Sequence, residues 1–129
     1  MGSLKVNKKN IPSEADFARA KAIMRHNDRG LSEVRSQILH QFGTRGVHEL
    51  FVLFSPALNS FGTYVFFDFD SQIEDAKQSG LAEEINVAML NALEKAGRGE
   101  ISDLDVTYEF DSHENVVKNY GGNYFDRLR

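Results

Sequence analysis

The chain has 129 residues, enough for one domain with its own hydrophobic core, and it contains no cysteine. The lack of cysteine excludes disulfides, thiolate metal sites and a cysteine nucleophile, and no apolar run approaches the roughly 18 residues of a membrane span. The net charge of −4 is uneven: residues 51–129 hold fourteen acids and six bases, whereas residues 1–50 hold nine bases and five acids. An acidic C-terminal part disfavours nucleic-acid binding and suits a basic protein partner.

Residues 1–12 are polar, and we expect them to be a flexible N-terminal segment ahead of a single globular domain over residues 13–129. The start of the chain lacks the apolar core of a signal peptide, which favours a cytoplasmic location.

Two helices are predicted next, on either side of Gly30. Ser13 is the expected N-cap of the first helix, since acids follow it in the first turn. Apolar residues then recur at helical spacing in both segments: Phe17, Ala20, Ile23 and Met24 in the first, and Leu31, Val34, Ile38 and Phe42 in the second.

A β-hairpin is predicted over residues 47–69, with Pro56 ending its first strand. A helical segment follows, in which Gly80 is expected to divide a short leading turn from the main helix. The third strand is DLDVTYEF, because Leu104, Val106, Tyr108 and Phe110 alternate with polar residues, and residues 112–120 form a last helix. The order ααββαβα predicts an α+β fold, in which helices cover a small, mainly antiparallel sheet of about three strands.

The second and third strands end in similar sequences, FFDFDSQIEDAK and TYEFDSHENVVK. In each, the Asp (Asp70 or Asp111) or the Ser after it is expected to cap the following helix. Asp68 and Asp70 are expected to share one strand face, as are Glu109 and Asp111, so that four carboxylates and His113 meet if the two strands are neighbours. Oxygen ligands of this kind suit Mg²⁺ or Mn²⁺, which leaves a small metal-dependent hydrolase as an alternative function.

Acidic residues also mark the predicted partner-binding surface. Between residues 100 and 114 the chain has six acids and no Lys or Arg. The partner-binding set predicted from this pattern is Asp68, Asp70, Glu74, Asp75, Glu100, Asp103, Asp105, Glu109, Asp111 and Glu114. The competing interpretation is that these acids cap helices and keep the surface solvated.

No catalytic, cofactor or metal-binding motif stands out in the sequence. The four histidines are scattered, no G-x-S-x-G surrounds a serine, and neither GTRG nor YGGNY has the spacing of a phosphate loop. The sequence therefore indicates no catalytic residue, no metal site and no cofactor.

The C-terminal segment VTYEFDSHENVVKNYGGNYFDRLR resembles the C-terminal end of immunity proteins from bacterial toxin–immunity systems, including those of contact-dependent growth inhibition. The resemblance implies a cytoplasmic, non-enzymatic inhibitor that binds a cognate toxin, which we expect to be a basic nuclease. It carries over no catalytic residue. A third possibility is a homodimeric structural module that pairs through an exposed sheet edge.

The tail itself is expected to fold back onto the domain. Gly121 and Gly122 permit a sharp change of direction, and the residues after them are aromatic and apolar. We predict that Phe125 and Leu128 are at least partly buried.

Overall fold

The computed structural model describes residues 13–129, which adopt an α+β fold. The helices are α1 (Glu14–Asn27), α2 (Leu31–Phe42), α3 (Ser71–Ser79), α4 (Leu81–Lys95), α5 (His113–Tyr120) and α6 (Tyr124–Arg127). The strands are β1 (Val47–Ser55), β2 (Ser60–Phe67) and β3 (Val106–Ser112). The predicted class is confirmed. The predicted order ααββαβα differs from the structure at two points, since two helices, α3 and α4, lie between β2 and β3 and the short α6 follows α5. The predicted flexible segment 1–12 lies outside the described residues.

The three strands form one sheet in the order β1-β2-β3. Strand β1 pairs with β2 in antiparallel fashion, whereas β2 pairs with β3 in parallel, from Phe61 opposite Val106 to Phe67 opposite Ser112. A parallel pair needs a long crossover connection, and α3 and α4 supply it. As a result, the carboxyl ends of β2 and β3 lie side by side.

One face of the sheet, called the inner face here, packs against α2 and α4 and forms the hydrophobic core. Leu50 and Val65 are fully buried there against Ile38, Ile85 and Met89. The predicted alternation in the third strand is confirmed, because Val106, Tyr108 and Phe110 pack against this core. The Tyr108 hydroxyl donates a hydrogen bond of 2.8 Å to Asn86 Oδ1 of α4.

The predicted helix boundaries follow from local chemistry. Ser13 Oγ accepts a hydrogen bond from Asp16 N at 3.1 Å and Asp16 Oδ2 accepts one from Ser13 N at 3.0 Å, which confirms the N-cap of α1. Gly80 separates α3 from α4 with a φ of 89°, a left-handed conformation that glycine adopts without strain. In α1, Ile23 is 54% exposed; Phe17 and Met24 have side chains outside the described part of the structure.

Among the described residues, no helix combines the length and apolar character that crossing a membrane requires.

Candidate functional site

The two strand exits meet at one end of the sheet. Because β2 and β3 are parallel neighbours, the residues after Phe67 lie beside those after Phe110. The acids gathered there are Asp68, Asp70, Glu109, Asp111 and Glu114, and this region is called the acidic end below. The sequence predicts that these acids meet if β2 and β3 are neighbours, and the structure confirms it. His113 lies among them.

The first exit, residues 68–70, is held by main-chain hydrogen bonds from several directions. Asp68 N donates to Gly46 O at 3.0 Å, and Asp68 O accepts from Glu114 N at 3.2 Å. Phe69 N donates to Gln72 Oε1 at 2.8 Å, and Asp70 N donates to Glu114 Oε1 at 2.9 Å. Four hydrogen bonds therefore hold the main chain of residues 68–70 in place.

Two predictions about this exit are wrong. Asp70 does not cap α3: its backbone is already helical (φ −54°, ψ −39°), so its side chain does not reach the first-turn N–H groups. Its carboxylate instead accepts a hydrogen bond from Ser112 Oγ, across the two exits. Asp68 and Asp70 also do not share a strand face, because β2 ends at Phe67 and the chain turns after it.

The second exit behaves as predicted. Ser112 has extended backbone angles (φ −134°, ψ 152°), and its hydroxyl accepts a hydrogen bond from Asn115 N at 2.9 Å, which makes it the N-cap of α5. The same hydroxyl donates to Asp70. Asp111 accepts from Ser112 N at 2.7 Å and from Asn115 Nδ2 at 3.1 Å. The buried Ser112 hydroxyl thus hydrogen-bonds to residues of both exits and links them.

Two histidines that sequence reasoning treated as unrelated stack at the acidic end. The rings of His48 and His113 lie 3.8 Å apart, centroid to centroid, and are inclined by 16°. His48 Nδ1 lies 2.9 Å from Asp68 Oδ1, and His113 Nδ1 lies 2.7 Å from the hydroxyl of Tyr124. His48 lies beside His113 because the register of β1 shifts between Val47 and Glu49. No sequence motif predicts this irregularity.

The C-terminal tail crosses the outer face of the sheet and binds two of the acids. Arg127 Nε donates to Asp111 Oδ2 at 2.5 Å and Arg127 Nη2 donates to Glu109 Oε1 at 2.9 Å. Glu109 and Asp111 therefore share a strand face, as predicted. Burial lowers the pKa of the Arg127 guanidinium, but the hydrogen bonds to Asp111 and Glu109 outweigh it and leave the pKa raised. The acidic stretch 100–114, which has no base of its own, thus acquires one from the tail.

Tyr124 and Arg127, rather than Phe125, anchor this tail. Tyr124 packs edge-on against Phe66, with ring centroids 4.9 Å apart, and burial together with nearby carboxylates raises the pKa of its phenol to about 12. Leu128 is partly buried, as predicted. The prediction for Phe125 is wrong, because this side chain is 84% exposed.

The remaining predicted acids lie apart from the acidic end or at its margin. Glu74 and Asp75 are exposed on α3. Glu100, Asp103 and Asp105 are exposed before β3, at the opposite end of a seven-residue strand, which spans about 20 Å. The ten predicted acids are therefore not one continuous surface.

Most carboxylates of the acidic end are occupied by hydrogen bonds within the protein. The carboxylates of Asp70, Asp111, Glu109 and Glu114 accept hydrogen bonds from Ser112, Arg127 and main-chain N–H groups. Within residues 13–129, no three His, Asp or Glu side chains are grouped as metal ligands would be. The alternative of a metal-dependent hydrolase gains no support from this geometry.

One large apolar side chain at the acidic end projects into solvent. Phe69 is 59% exposed, although both of its neighbours in the chain are fixed: Asp68 by His48 and Asp70 by Ser112. Sequence reasoning counted the acids around it and passed over Phe69 itself. The sequence feature that could have indicated an exposed Phe69 is an aromatic residue between two aspartates, just after a strand.

Comparison with known proteins gave no match to a family model, to a curated protein or to a solved structure.

Proposed function

We propose that this protein is a non-enzymatic inhibitor of the immunity-protein type, which binds a basic bacterial toxin domain and blocks its activity. The observation that supports this best is Phe69, an exposed aromatic side chain between two aspartates, in a loop whose main chain is hydrogen-bonded at each residue. Such an inhibitor acts in the cytoplasm, where the toxin reaches its substrate.

Large aromatic side chains that fill a pocket on the partner supply most of the binding energy, while the surrounding polar residues exclude water and set specificity. The main chain of Phe69 is held by Gln72 and by the hydrogen-bonded residues on either side, so little backbone entropy remains to be lost when a partner covers the side chain.

The negative charge around Phe69 suits a basic partner. The exposed acids Glu74, Asp75 and Glu114 lie on the helices that start at the acidic end, close to Phe69 in the chain or through hydrogen bonds. An acidic surface attracts a basic protein over the screening length and raises the association rate. Nucleases have basic substrate grooves, so this surface suits such a groove.

The proposal is tested by expressing the chain in bacteria together with the toxin domain encoded beside it. We expect the wild-type chain to restore growth and to co-elute with the toxin domain in gel filtration. A chain that is folded and abundant but neither restores growth nor binds that domain would contradict the proposal.

A further inference from the structure

The sheet has two edge strands, and side chains block one of them, β1, at Leu50. On β1, Leu50 N donates to Glu49 Oε1 at 3.0 Å, and Leu50 O accepts from Arg35 Nε at 2.7 Å. Arg35 and Glu49 are themselves paired, and the guanidinium lies over the Phe51 ring. These contacts occupy main-chain groups that would otherwise pair with another strand, which is how proteins protect sheet edges.

The edge of β3 has no such closure. Phe61 N donates to Asp105 O at 2.8 Å, and this bond shows which main-chain groups of the β3 segment face β2 in the parallel pair. Since successive residues of a strand direct their main-chain groups to opposite sides, Val106, Tyr108 and Phe110 present their N–H and C=O groups away from β2. Within the described part of the chain, no hydrogen bond reaches these groups.

The open edge ends at Ser112. There the main-chain N–H donates to Asp111 Oδ1 at 2.7 Å, so the ladder positions beyond Phe110 are occupied. The open stretch, called the β3 edge below, is therefore Val106–Phe110. Its length suits one short added strand.

We propose that the β3 edge is a docking site that adds an extended segment of a basic protein to the sheet. The inference rests on the proposed function, since the basic protein is the toxin domain. It specifies how that domain is held: main-chain hydrogen bonds along the β3 edge supply affinity, as in other cases of strand addition.

Charge selects a basic segment over a second copy of this chain. Asp103 and Asp105 are exposed just before β3, and Glu109, which Arg127 of the tail contacts, is exposed on the face of β3 opposite the core. If two copies paired through their β3 edges, acids of one copy would stand opposite or diagonal to acids of the other, and like charges in those positions are destabilising. A segment with Lys or Arg at alternate positions places opposite charges there instead.

Amide hydrogen exchange on the free protein and on a peptide complex tests the inference. The probe is a peptide as long as β3, seven residues, in which Lys and Val alternate; the control peptide has Glu in place of Lys. In the free protein, the N–H groups of Tyr108 and Phe110 should exchange fast, whereas those of Thr107 and Glu109, which face β2, should be protected. At nine-tenths saturation with the Lys peptide, exchange at Tyr108 and Phe110 should slow by about tenfold, and the Glu peptide should leave it unchanged.

A proline substitution separates the main-chain contact from the side chain. Val106→Pro removes one outward N–H from an edge position, where proline is tolerated, and should weaken binding of the Lys peptide by at least about tenfold. Val106→Ala keeps that N–H and should bind as the wild type does. If Val106→Pro fails to fold, amide exchange in the wild type still tests whether the peptide binds the β3 edge.

The inference is overturned if Tyr108 and Phe110 N–H are already protected in the free protein, or if the Lys peptide does not slow their exchange. The toxin complex separates the two proposals. A toxin domain that is bound and inhibited while these two N–H groups still exchange fast would remove the β3 edge from the interface and leave the proposed function standing. Protection by the Lys peptide without binding of the toxin domain would leave the docking site and remove the proposed function.

Discussion

The contact between Arg127 and Asp111 should be the main attachment of the C-terminal tail, and Arg127→Ala should measure it. The two side chains are 15% and 12% exposed, so their hydrogen bond is largely shielded from water. A hydrogen bond to a charged group contributes about 1.5–3 kcal/mol, and the guanidinium over the Phe66 ring, 5.8 Å from its centroid, adds about 0.5–1 kcal/mol. The second bond, to the exposed Glu109, contributes less than about 1 kcal/mol.

Asp111 keeps its bonds from Ser112 N and Asn115 Nδ2 in the variant, so its carboxylate is not left without donors. We therefore expect Arg127→Ala to lower the free energy of unfolding by about 2–4 kcal/mol. With a urea m-value of about 2 kcal/mol per molar, a loss of about 3 kcal/mol lowers the unfolding midpoint by about 1.5 M.

Arg129→Ala is the matched control. The Arg129 side chain is 80% exposed and lies 4.0 Å from Asp126, so its removal should cost less than about 0.5 kcal/mol. A double-mutant cycle with Arg127→Met and Asp111→Asn should give a coupling energy of at least about 1 kcal/mol. If Arg127→Ala unfolds at the same urea concentration as Arg129→Ala, the contact between Arg127 and Asp111 does not attach the tail.

Three further predictions concern the helix boundaries and pH. Ser112→Ala removes the N-cap of α5 and the link to Asp70, so urea denaturation should show a loss of about 1–2 kcal/mol; an unchanged midpoint would contradict the capping role. Gly80→Ala places a side chain at a φ of 89° in open space and should cost about 1 kcal/mol from backbone strain alone. The same change at Gly43, which has a helical φ of −58° and no neighbouring atoms, should be neutral or slightly stabilising, and equal effects at the two sites would refute this account. The raised pKa of Tyr124, about 12 in the folded protein against about 10 in the unfolded chain, favours folding below pH about 10, and this contribution is lost as the pH rises toward 12. Unfolding midpoints across that range should fall less steeply for Tyr124→Phe than for the wild type, and parallel curves would show that this phenol does not titrate differently on folding.

The local structure follows from the sequence because its causes are local. Alternation places Val106, Tyr108 and Phe110 on the core face, and the serine after a strand caps the helix that begins there. Gly80 divides α3 from α4 because few other residues adopt its backbone angles without strain.

The candidate site was only partly predictable, since its contacts join residues far apart in the chain. Counting charges between residues 100 and 114 gave an acidic stretch without a base, but Arg127 reaches that stretch only after the tail folds back. The stack of His48 on His113 depends on a register shift in β1, and the exposure of Phe125 depends on the rotation of a four-residue helix. Neither quantity is encoded in a short motif.

We propose that Phe69 anchors a protein partner at the acidic end. Titration calorimetry of the toxin domain against Phe69→Ala tests it most directly, with Leu58→Ala as the control. Leu58 is 75% exposed in the turn between β1 and β2, at the opposite end of the sheet, so the two changes remove similar exposed apolar area. We expect Phe69→Ala to keep the wild-type unfolding midpoint and to lose at least about 2 kcal/mol of binding free energy, roughly 30-fold in Kd, while Leu58→Ala binds as the wild type does. If Phe69→Ala and Leu58→Ala both bind the toxin domain with wild-type affinity, Phe69 does not anchor the partner.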